Sequence, residues 1–428
     1  MRTALKFVLA ASLSVAAFAP LLAADWPCWR GPAGTGVSAE KGLLGTWPAG
    51  GPTLLWTSKD AGSGYAGLAI VGGNVYTMGA VGDDEFAIAL DGKGKKLWST
   101  KIGPVHDWKA TSWSRGPNAT PTVDGDHVYC LSSKGDLLCC KKADGAEVWR
   151  KNLPKDFGGE IVEGAGGYPK FGWGYSSSPV VDGDQLVLTP GGSQGLFVAL
   201  DKKTGKTLWQ SAAVKDLALY VTPTVATIGG VKQYITVTRP GVTAVSADKG
   251  EVLWTWKPED EFPDVICPSP IVEGDHVYIT VGGSGYTMLK IQTARKKFTA
   301  NVAHSGKAIS NAQGGVVLIG EHLYGYHEDR GMMCQALDSG KPPWKRTKQE
   351  IKAGSIVAAD GKLYVLGEEG TVAMVEASPE AYKLLGKFDL PVRAKKRKPS
   401  AKVWSHPSLS DGKLYLRDQE NVFCYEVK

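Results

Sequence analysis

Apolar residues along this chain fall in short alternating runs, and no long stretch keeps a helical spacing. The runs are rich in Val, Ile, Leu and Tyr and are bounded by Asp-Gly, Gly-Gly and Thr-Gly turns, which is typical of antiparallel strands. Three of them open alike, at 120–125, 178–183 and 269–274, with Ser or Thr, then Pro, two β-branched residues, an acidic residue and Gly. One unit of strands and turns is therefore repeated along the chain.

Each repeated unit ends on an aromatic residue, with a spacing of about 45 residues and two longer gaps. These closing aromatics are Trp56, Trp98, Trp149, Trp209, Trp254, Phe298, Trp344 and Phe388. Four short antiparallel strands fill such a unit, which is one blade of a β-propeller. The last unit has room for only three strands, and residues 53–57 supply an unpartnered fourth. We predict an all-β, eight-bladed propeller closed by that N-terminal strand, which removes two exposed sheet edges.

The first residues predict export of the chain. Arg2 and Lys6 precede an apolar run at 7–22 and two small residues, the layout of a secretory signal peptide over 1–24. The run is too short and wrongly flanked for a stable membrane span. We expect the mature chain to be a monomeric single domain over 25–428, with an N-terminal extension at 25–52 and no membrane span, in a periplasm or outside the cell.

Net charge excludes one class of partner. The full chain carries +6, and removal of the signal peptide leaves about +4, which is too mild to indicate nucleic-acid binding. A local cluster of basic residues at 393–398 stands out from this balance. It fits either contact with an anionic partner or a solvated loop, and the sequence leaves both open.

The best-preserved closing motif, at 199–209, reads Ala-x-Asp-x-x-Thr-Gly-x-x-x-Trp. It resembles the tryptophan-docking motif of pyrroloquinoline-quinone (PQQ) dehydrogenases, and equally the repeat of the non-enzymatic lipoprotein that assists outer-membrane β-barrel assembly. The segment 25–32 resembles the N-terminal signature of exported bacterial PQQ-like propellers. This resemblance implies a propeller of the quinoprotein type in which closing tryptophans pack against the neighbouring blade. The implied blade-docking residues are Trp56, Trp98, Trp149, Trp209, Trp254 and Trp344.

In a propeller, the loops that enter the innermost strands converge over the central axis. The candidate residues of such an axial funnel are Trp113, Arg115, Trp173, Tyr175, Tyr220, Trp404 and His406. Flat aromatic rings beside an arginine can hold a planar anionic ring, as a quinone cofactor requires. The alternative is that the rings plug the channel and pack the loops together.

The cysteines offer two further hypotheses. The resemblance would place a vicinal disulfide at Cys139-Cys140, but the pair reads as part of a strand, where successive side chains point to opposite faces. Counting outward from a turn at 134–135 instead places Cys130 opposite Cys139, which permits a cross-strand disulfide. Two buried thiols are the alternative. An odd total of seven cysteines leaves at least one unpaired within the chain.

Two functions remain open. The first is an exported, non-catalytic binding or scaffolding propeller of the cell envelope, without a cofactor, whose partner is an envelope protein or a polysaccharide. The alternative is a dehydrogenase that uses PQQ and Ca²⁺ to oxidise an alcohol or sugar. The first is favoured because the blades lack large insertions and because no catalytic residue or metal ligand of the dehydrogenases can be placed in this sequence.

Overall fold

A computed structural model describes residues 25–106, 115–162, 172–327, 329–344, 351, 353–398 and 401–428. Strands dominate. Two short ones come first, β1 (Val37–Ser38) and β2 (Leu54–Ser58). The first blade follows with β3 (Ala69–Val71), β4 (Asn74–Val81), β5 (Asp84–Leu90) and β6 (Lys96–Pro104). The second has β7 (Thr122–Asp124), β8 (His127–Leu131), β9 (Asp136–Lys141) and β10 (Glu147–Asn152), and the short helix α1 (Leu153–Phe157) follows it.

The third blade has β11 (Val180–Asp182), β12 (Gln185–Leu188), β13 (Val198–Asp201) and β14 (Thr207–Gln210). The fourth has β15 (Thr224–Ile228), β16 (Val231–Thr238), β17 (Gly241–Ser246) and β18 (Val252–Trp256). The fifth has β19 (Ile271–Glu273), β20 (His276–Val281), β21 (Gly285–Ala294) and β22 (Lys297–Gly306). The described part of the sixth has β23 (Val316–Ile319), β24 (His322–His327) and β25 (Gly331–Ala336).

The seventh blade has β26 (Gly354–Ala359), β27 (Lys362–Gly367), β28 (Thr371–Glu376) and β29 (Leu384–Asp389). The eighth has β30 (Ser408–Ser410), β31 (Lys413–Asp418) and β32 (Asn421–Glu426), and its fourth strand is β2. In that sheet Trp56 lies opposite Cys424. The predicted eight-bladed, antiparallel propeller, closed by an N-terminal strand, is therefore confirmed.

The first strand of each blade lines the axis, because first strands of neighbouring blades contact each other around the ring. The N-terminal extension runs among these strands. The Trp26 and Ile70 backbones exchange hydrogen bonds of 2.8 Å, and the Pro27 carbonyl accepts one from Val123 N at 2.8 Å. Further along, β1 pairs in parallel with β26. The extension thus occupies the central channel, which the repeat pattern alone did not indicate.

Neighbouring blades meet where an indole lies on a glycine. The Trp98 Nε1–H donates to the Lys142 carbonyl of the next blade at 3.0 Å, and Gly145 there has φ +73°. A Cβ on Gly145 would lie 2.6 Å from Trp98 Cε3, so only glycine fits without a shift. The same stacking joins Trp56 to Gly94, Trp149 to Gly205 and Trp209 to Gly250.

The other two closing tryptophans use different contacts. The Trp344 Nε1–H donates to Ser378 O of the next blade at 2.8 Å. The Trp254 Nε1–H instead donates to Gln233 Oε1 in its own sheet at 2.7 Å. In the turn between β21 and β22, Arg295 and Lys296 both have positive φ. The blade joints are therefore not equivalent.

A fully buried arginine joins the last blade to the first. Arg417 donates through Nη1 to Ala66 O and Met78 O at 2.8 Å, and through Nε to Gln419 O at 2.8 Å. Its Nη2 donates to Ala61 O and Gly62 O, each at 3.2 Å. Burial lowers the pKa of Arg417 to about 9. Every nitrogen of the guanidinium therefore has an oxygen partner at the seam where the ring closes.

The predicted pairing of Cys130 with Cys139 is wrong by one residue. In the β8–β9 hairpin Cys130 lies opposite Leu138, and Tyr129 lies opposite Cys139. The ladder ends with Ser132 N donating to Asp136 O, because the Ser133 N–H is taken by Glu85 Oε2 of the first blade at 2.9 Å. The turn therefore has one residue more than the sequence suggested, and both cysteines are free thiols.

Candidate functional site: the axial funnel

The loops that enter the innermost strands meet around a cavity of about 750 Å³ that opens to solvent. We call it the axial funnel. Its described lining consists of Trp29, Tyr65, Asn118, Trp173, Ser176, Tyr220, Thr222, Cys267, Gln313, Trp404 and His406. Because each loop comes from a different blade, the ring of blades itself brings residues together that are far apart in sequence.

Four aromatic rings form a row along the funnel. The Trp173 and Tyr220 centroids lie 5.5 Å apart at an interplanar angle of 25°. Trp173 and Trp404 are likewise stacked at 25°, with centroids 6.5 Å apart, and Tyr65 follows 5.2 Å from Trp404. The row makes a large part of the cavity lining aromatic and apolar.

The floor of the funnel comes from the N-terminal extension. Trp29 lies with its ring centroid 4.4 Å from that of His406, and its Nε1–H donates to Ser269 Oγ at 3.3 Å. Burial, together with the nearby Arg30 cation, lowers the pKa of His406 to about 3. The imidazole is therefore neutral at physiological pH and adds no charge to the floor.

Neutral polar groups complete the lining. Asn118 Nδ2 donates to Trp173 O at 3.0 Å and to Ser176 Oγ at 3.1 Å, which leaves its Oδ1 as an acceptor. The side-chain amide of Gln313 makes no hydrogen bond within the described residues, and its Oε1 is a buried acceptor without a partner. The described lining contains no Asp, Glu, Lys or Arg. The funnel thus combines aromatic faces with uncharged donors and acceptors.

The structure brings four of the sequence-derived funnel residues together and separates two. Trp173, Tyr220, Trp404 and His406 line the cavity. The Arg115 side chain is 43% exposed and pairs with Asp83 Oδ1 at 3.3 Å, outside the lining.

Tyr175 is buried, and its hydroxyl donates to Pro190 O at 3.1 Å. A Cβ on Gly135 would lie 2.9 Å from its ring, so Tyr175 packs between loops and does not face the cavity. Trp113 lies outside the described residues. The cation expected to accompany the rings is therefore not in the described lining.

Sequence reasoning missed Trp29, Tyr65 and Cys267 as lining residues. Trp29 could have been found, because it lies in the segment 25–32, whose Trp, Pro and Gly pattern had already been singled out. Tyr65 and Cys267 stand alone in short loops without a local signal. Only the ring geometry shows that these loops end over the axis.

The basic cluster lies in the loop that also delivers Trp404 and His406. Two carboxylates of the last blade accept hydrogen bonds from the backbone of the cluster: Ala394 N donates to Asp418 Oδ2 at 2.9 Å, and Lys395 N donates to Glu420 Oε1 at 2.8 Å. Arg397 points inward, with its Nε 3.4 Å from Asp418 Oδ1. Lys395 and Lys396 are exposed. Residues 393–398 are therefore anchored to the last blade, and we call them the positive rim beside the funnel.

Within the described ranges, no group of three or more His, Cys, Asp or Glu side chains is placed to hold a metal ion. In the same part of the chain, no helix has the length and apolar character needed to cross a membrane.

A family model described as "Outer membrane protein assembly factor BamB" matches residues 82–346. The BamB protein of Shewanella oneidensis is 23% identical over 368 residues, which cover 75% of this chain and 85% of that protein. The BamB protein of Salmonella typhimurium is 23% identical over 370 residues, which cover 75% of this chain and 88% of that protein. These alignments therefore span most of the length of both relatives.

Two kinds of solved structure are similar. BamB from Moraxella catarrhalis has a TM-score of 0.54 at 14% identity and covers 85% of this chain and 98% of its own. The quinohemoprotein alcohol dehydrogenase from Comamonas testosteroni has a TM-score of 0.63 at 13% identity and covers 94% of this chain and 80% of its own. At such low identity these likenesses show the fold alone.

Proposed function

This chain belongs to the outer membrane protein assembly factor BamB family, and from that premise we propose that it is an exported, non-catalytic binding propeller of the cell envelope. Its binding face is the side of the ring that carries the axial funnel and the positive rim. The observation that carries the proposal is the chemistry of the funnel, where aromatic faces and uncharged amides and hydroxyls line one cavity.

The described lining does not fit a PQQ–Ca²⁺ centre. An anionic quinone needs a cationic partner when it leaves water, and Ca²⁺ needs several oxygen ligands that normally include carboxylates. The described lining has neither type of side chain, and Arg115 pairs elsewhere. These residues therefore give no support to the dehydrogenase alternative. We propose that the funnel holds no quinone cofactor.

The lining fits a neutral saccharide better. Sugar rings have apolar faces that stack on aromatic side chains, and their hydroxyls both donate and accept hydrogen bonds. Asn118 Oδ1 offers an acceptor, and the Gln313 Nε2–H group offers a donor. A glycan of the envelope is thus the partner that the funnel would take, while the exposed Lys395 and Lys396 would contact acidic groups around it.

The proposal is tested by photo-crosslinking in living cells. A photoreactive amino acid replaces Lys395 on the rim, and in a control protein it replaces Asp126, which is exposed on a turn at the opposite face. We expect a discrete adduct from position 395 and none from position 126. Equal labelling from both positions would contradict a binding face at the funnel.

The alternative function is tested with the purified mature protein. Titration with PQQ and Ca²⁺, followed by tryptophan fluorescence and by melting temperature, is expected to give no saturable change. Saturable quenching with a rise in melting temperature, lost in Trp173→Ala but kept in Trp256→Ala, would establish a quinone site in the funnel instead. Trp256 is a suitable control because it lies in β18, away from the lining.

A further inference from the structure

A second buried arginine lies in the central channel, on the far side of the funnel floor. Arg30 is only 4% exposed, follows the floor residue Trp29, and has a backbone φ of 60°. The left-handed region is unfavourable for a residue with a side chain and costs about 1 kcal/mol. The chain adopts it here to turn the guanidinium into the channel among the innermost strands.

Arg30 is held by only one of its nitrogens. Nη2 donates to Thr35 O at 2.6 Å and to Val316 O. Within the described residues, Nε and Nη1 make no hydrogen bond, and both atoms keep a small accessible surface. Within the same described residues, Arg30 forms no ion pair with a carboxylate.

Arg417 shows what full compensation looks like in the same protein. All three of its nitrogens donate to oxygens, and the nearby Glu420 and Asp418 raise its pKa against the effect of burial. Burial also lowers the pKa of Arg30, to about 10, but no neighbouring acidic group opposes that effect. Arg30 therefore remains a cation at neutral pH, and a buried cation without a counter-charge is costly.

The space beside Arg30 is a groove of about 1010 Å³ between the N-terminal extension and the innermost strands of the fourth and fifth blades. Glycines make room around the guanidinium: a Cβ on Gly315 would lie 2.5 Å from Nη1, and one on Gly36 would lie 3.0 Å from Nη2. Glu273, exposed at the end of β19, is the one acidic residue in the described lining, and it makes no ion pair with Arg30.

We propose that Arg30 anchors an anion-binding site in this groove, which takes the carboxylate or phosphate group of a ligand that enters from the mouth opposite the funnel. Nε–H and Nη1–H point away from each other, so a bound anion would take one charge-assisted hydrogen bond from one of them, and the guanidinium charge supplies the main attraction. The site is separate from the funnel. The bound anion would supply the counter-charge that the buried cation lacks.

The test uses inorganic phosphate and acetate as probes at constant ionic strength. We expect the melting temperature of the mature protein to rise saturably, by a few degrees, with the anion that the site accepts. A saturable rise with phosphate alone would identify the accepted group as a phosphate, and a rise with acetate alone would identify it as a carboxylate. A rise with both probes would show that the site accepts either group. Arg30→Gln should abolish the saturable rise, whereas Arg115→Gln, which removes an exposed arginine, should keep it. An equal rise in Arg30→Gln, or no rise in the unaltered protein, would overturn the proposal.

A second measurement uses only the unaltered protein, so it does not depend on whether a variant folds. In the unaltered protein, the NMR signal of the Arg30 Nε–H group should shift saturably on addition of the anion that raises the melting temperature. A signal that stays in place while the melting temperature rises would show that the anion binds elsewhere, and would overturn the proposal.

Discussion

The contact of Trp209 with Gly250 allows the blade joint to be probed with a change of one methyl group. Gly250 has φ +69°, and a Cβ there would lie 2.3 Å from Trp209 Cε3. Gly250→Ala therefore combines two costs: about 1 kcal/mol for the left-handed backbone and about 1–3 kcal/mol for the overpacked joint. We expect a total loss of about 2–4 kcal/mol in the free energy of unfolding.

Gly230 in the same blade is a matched control for that prediction. Its φ is +76°, and a Cβ there would meet nothing within 4 Å. Gly230→Ala should therefore cost only the backbone part, about 1 kcal/mol. Both variants are compared by urea unfolding, followed by tryptophan fluorescence and circular dichroism.

A double-mutant cycle completes the experiment. In a Trp209→Ala background the indole is gone, so Gly250→Ala should cost about as much as Gly230→Ala. Equal losses for the two single variants, or an unchanged cost of Gly250→Ala without the indole, would refute the reasoning that the indole selects glycine at this joint.

Three further changes test other parts of the structure. Arg417→Met leaves several buried carbonyls without donors and should cost about 3–5 kcal/mol in urea unfolding, and a loss below about 1 kcal/mol would contradict the role of Arg417 at the seam. Burial raises the pKa of Glu85 to about 7, so the free energy of unfolding should fall as pH rises from about 4.5 to 7. Glu85→Gln should lack this fall, which is measured as the difference in unfolding free energy between the two proteins at each pH. Arg30→Gln removes a nearby positive charge and should raise the pKa of His406, measured by NMR, although burial, the larger cause, should keep it below the usual value.

The repeat made the fold predictable, because every unit carries the same succession of strands and turns, although His304 and Gly386, not Phe298 and Phe388, lie at the bulge where other blades have a closing tryptophan. The hairpin at Cys130 was predicted with the wrong register, since the residue that decides it, Glu85, belongs to another blade. A local count of turn residues cannot include such a long-range hydrogen bond.

The funnel was predictable only in part. Trp173, Tyr220 and Trp404 were found because they lie in loops that enter innermost strands, where a propeller places its ligands. Arg115 was expected there because of its type, yet its side chain pairs with Asp83 at the surface. Trp29 was missed although its segment 25–32 had been singled out, because the repeat pattern does not place the N-terminal extension in the channel.

The central claim is that the funnel binds a neutral saccharide and does not hold a quinone. Binding of the mature protein to an array of neutral and acidic glycans tests it most directly, with Trp173→Ala as the funnel variant and Trp256→Ala as the control. The account predicts retention of neutral glycans by the unaltered and Trp256→Ala proteins and loss of that retention in Trp173→Ala. No glycan binding, or retention that survives Trp173→Ala, would contradict it.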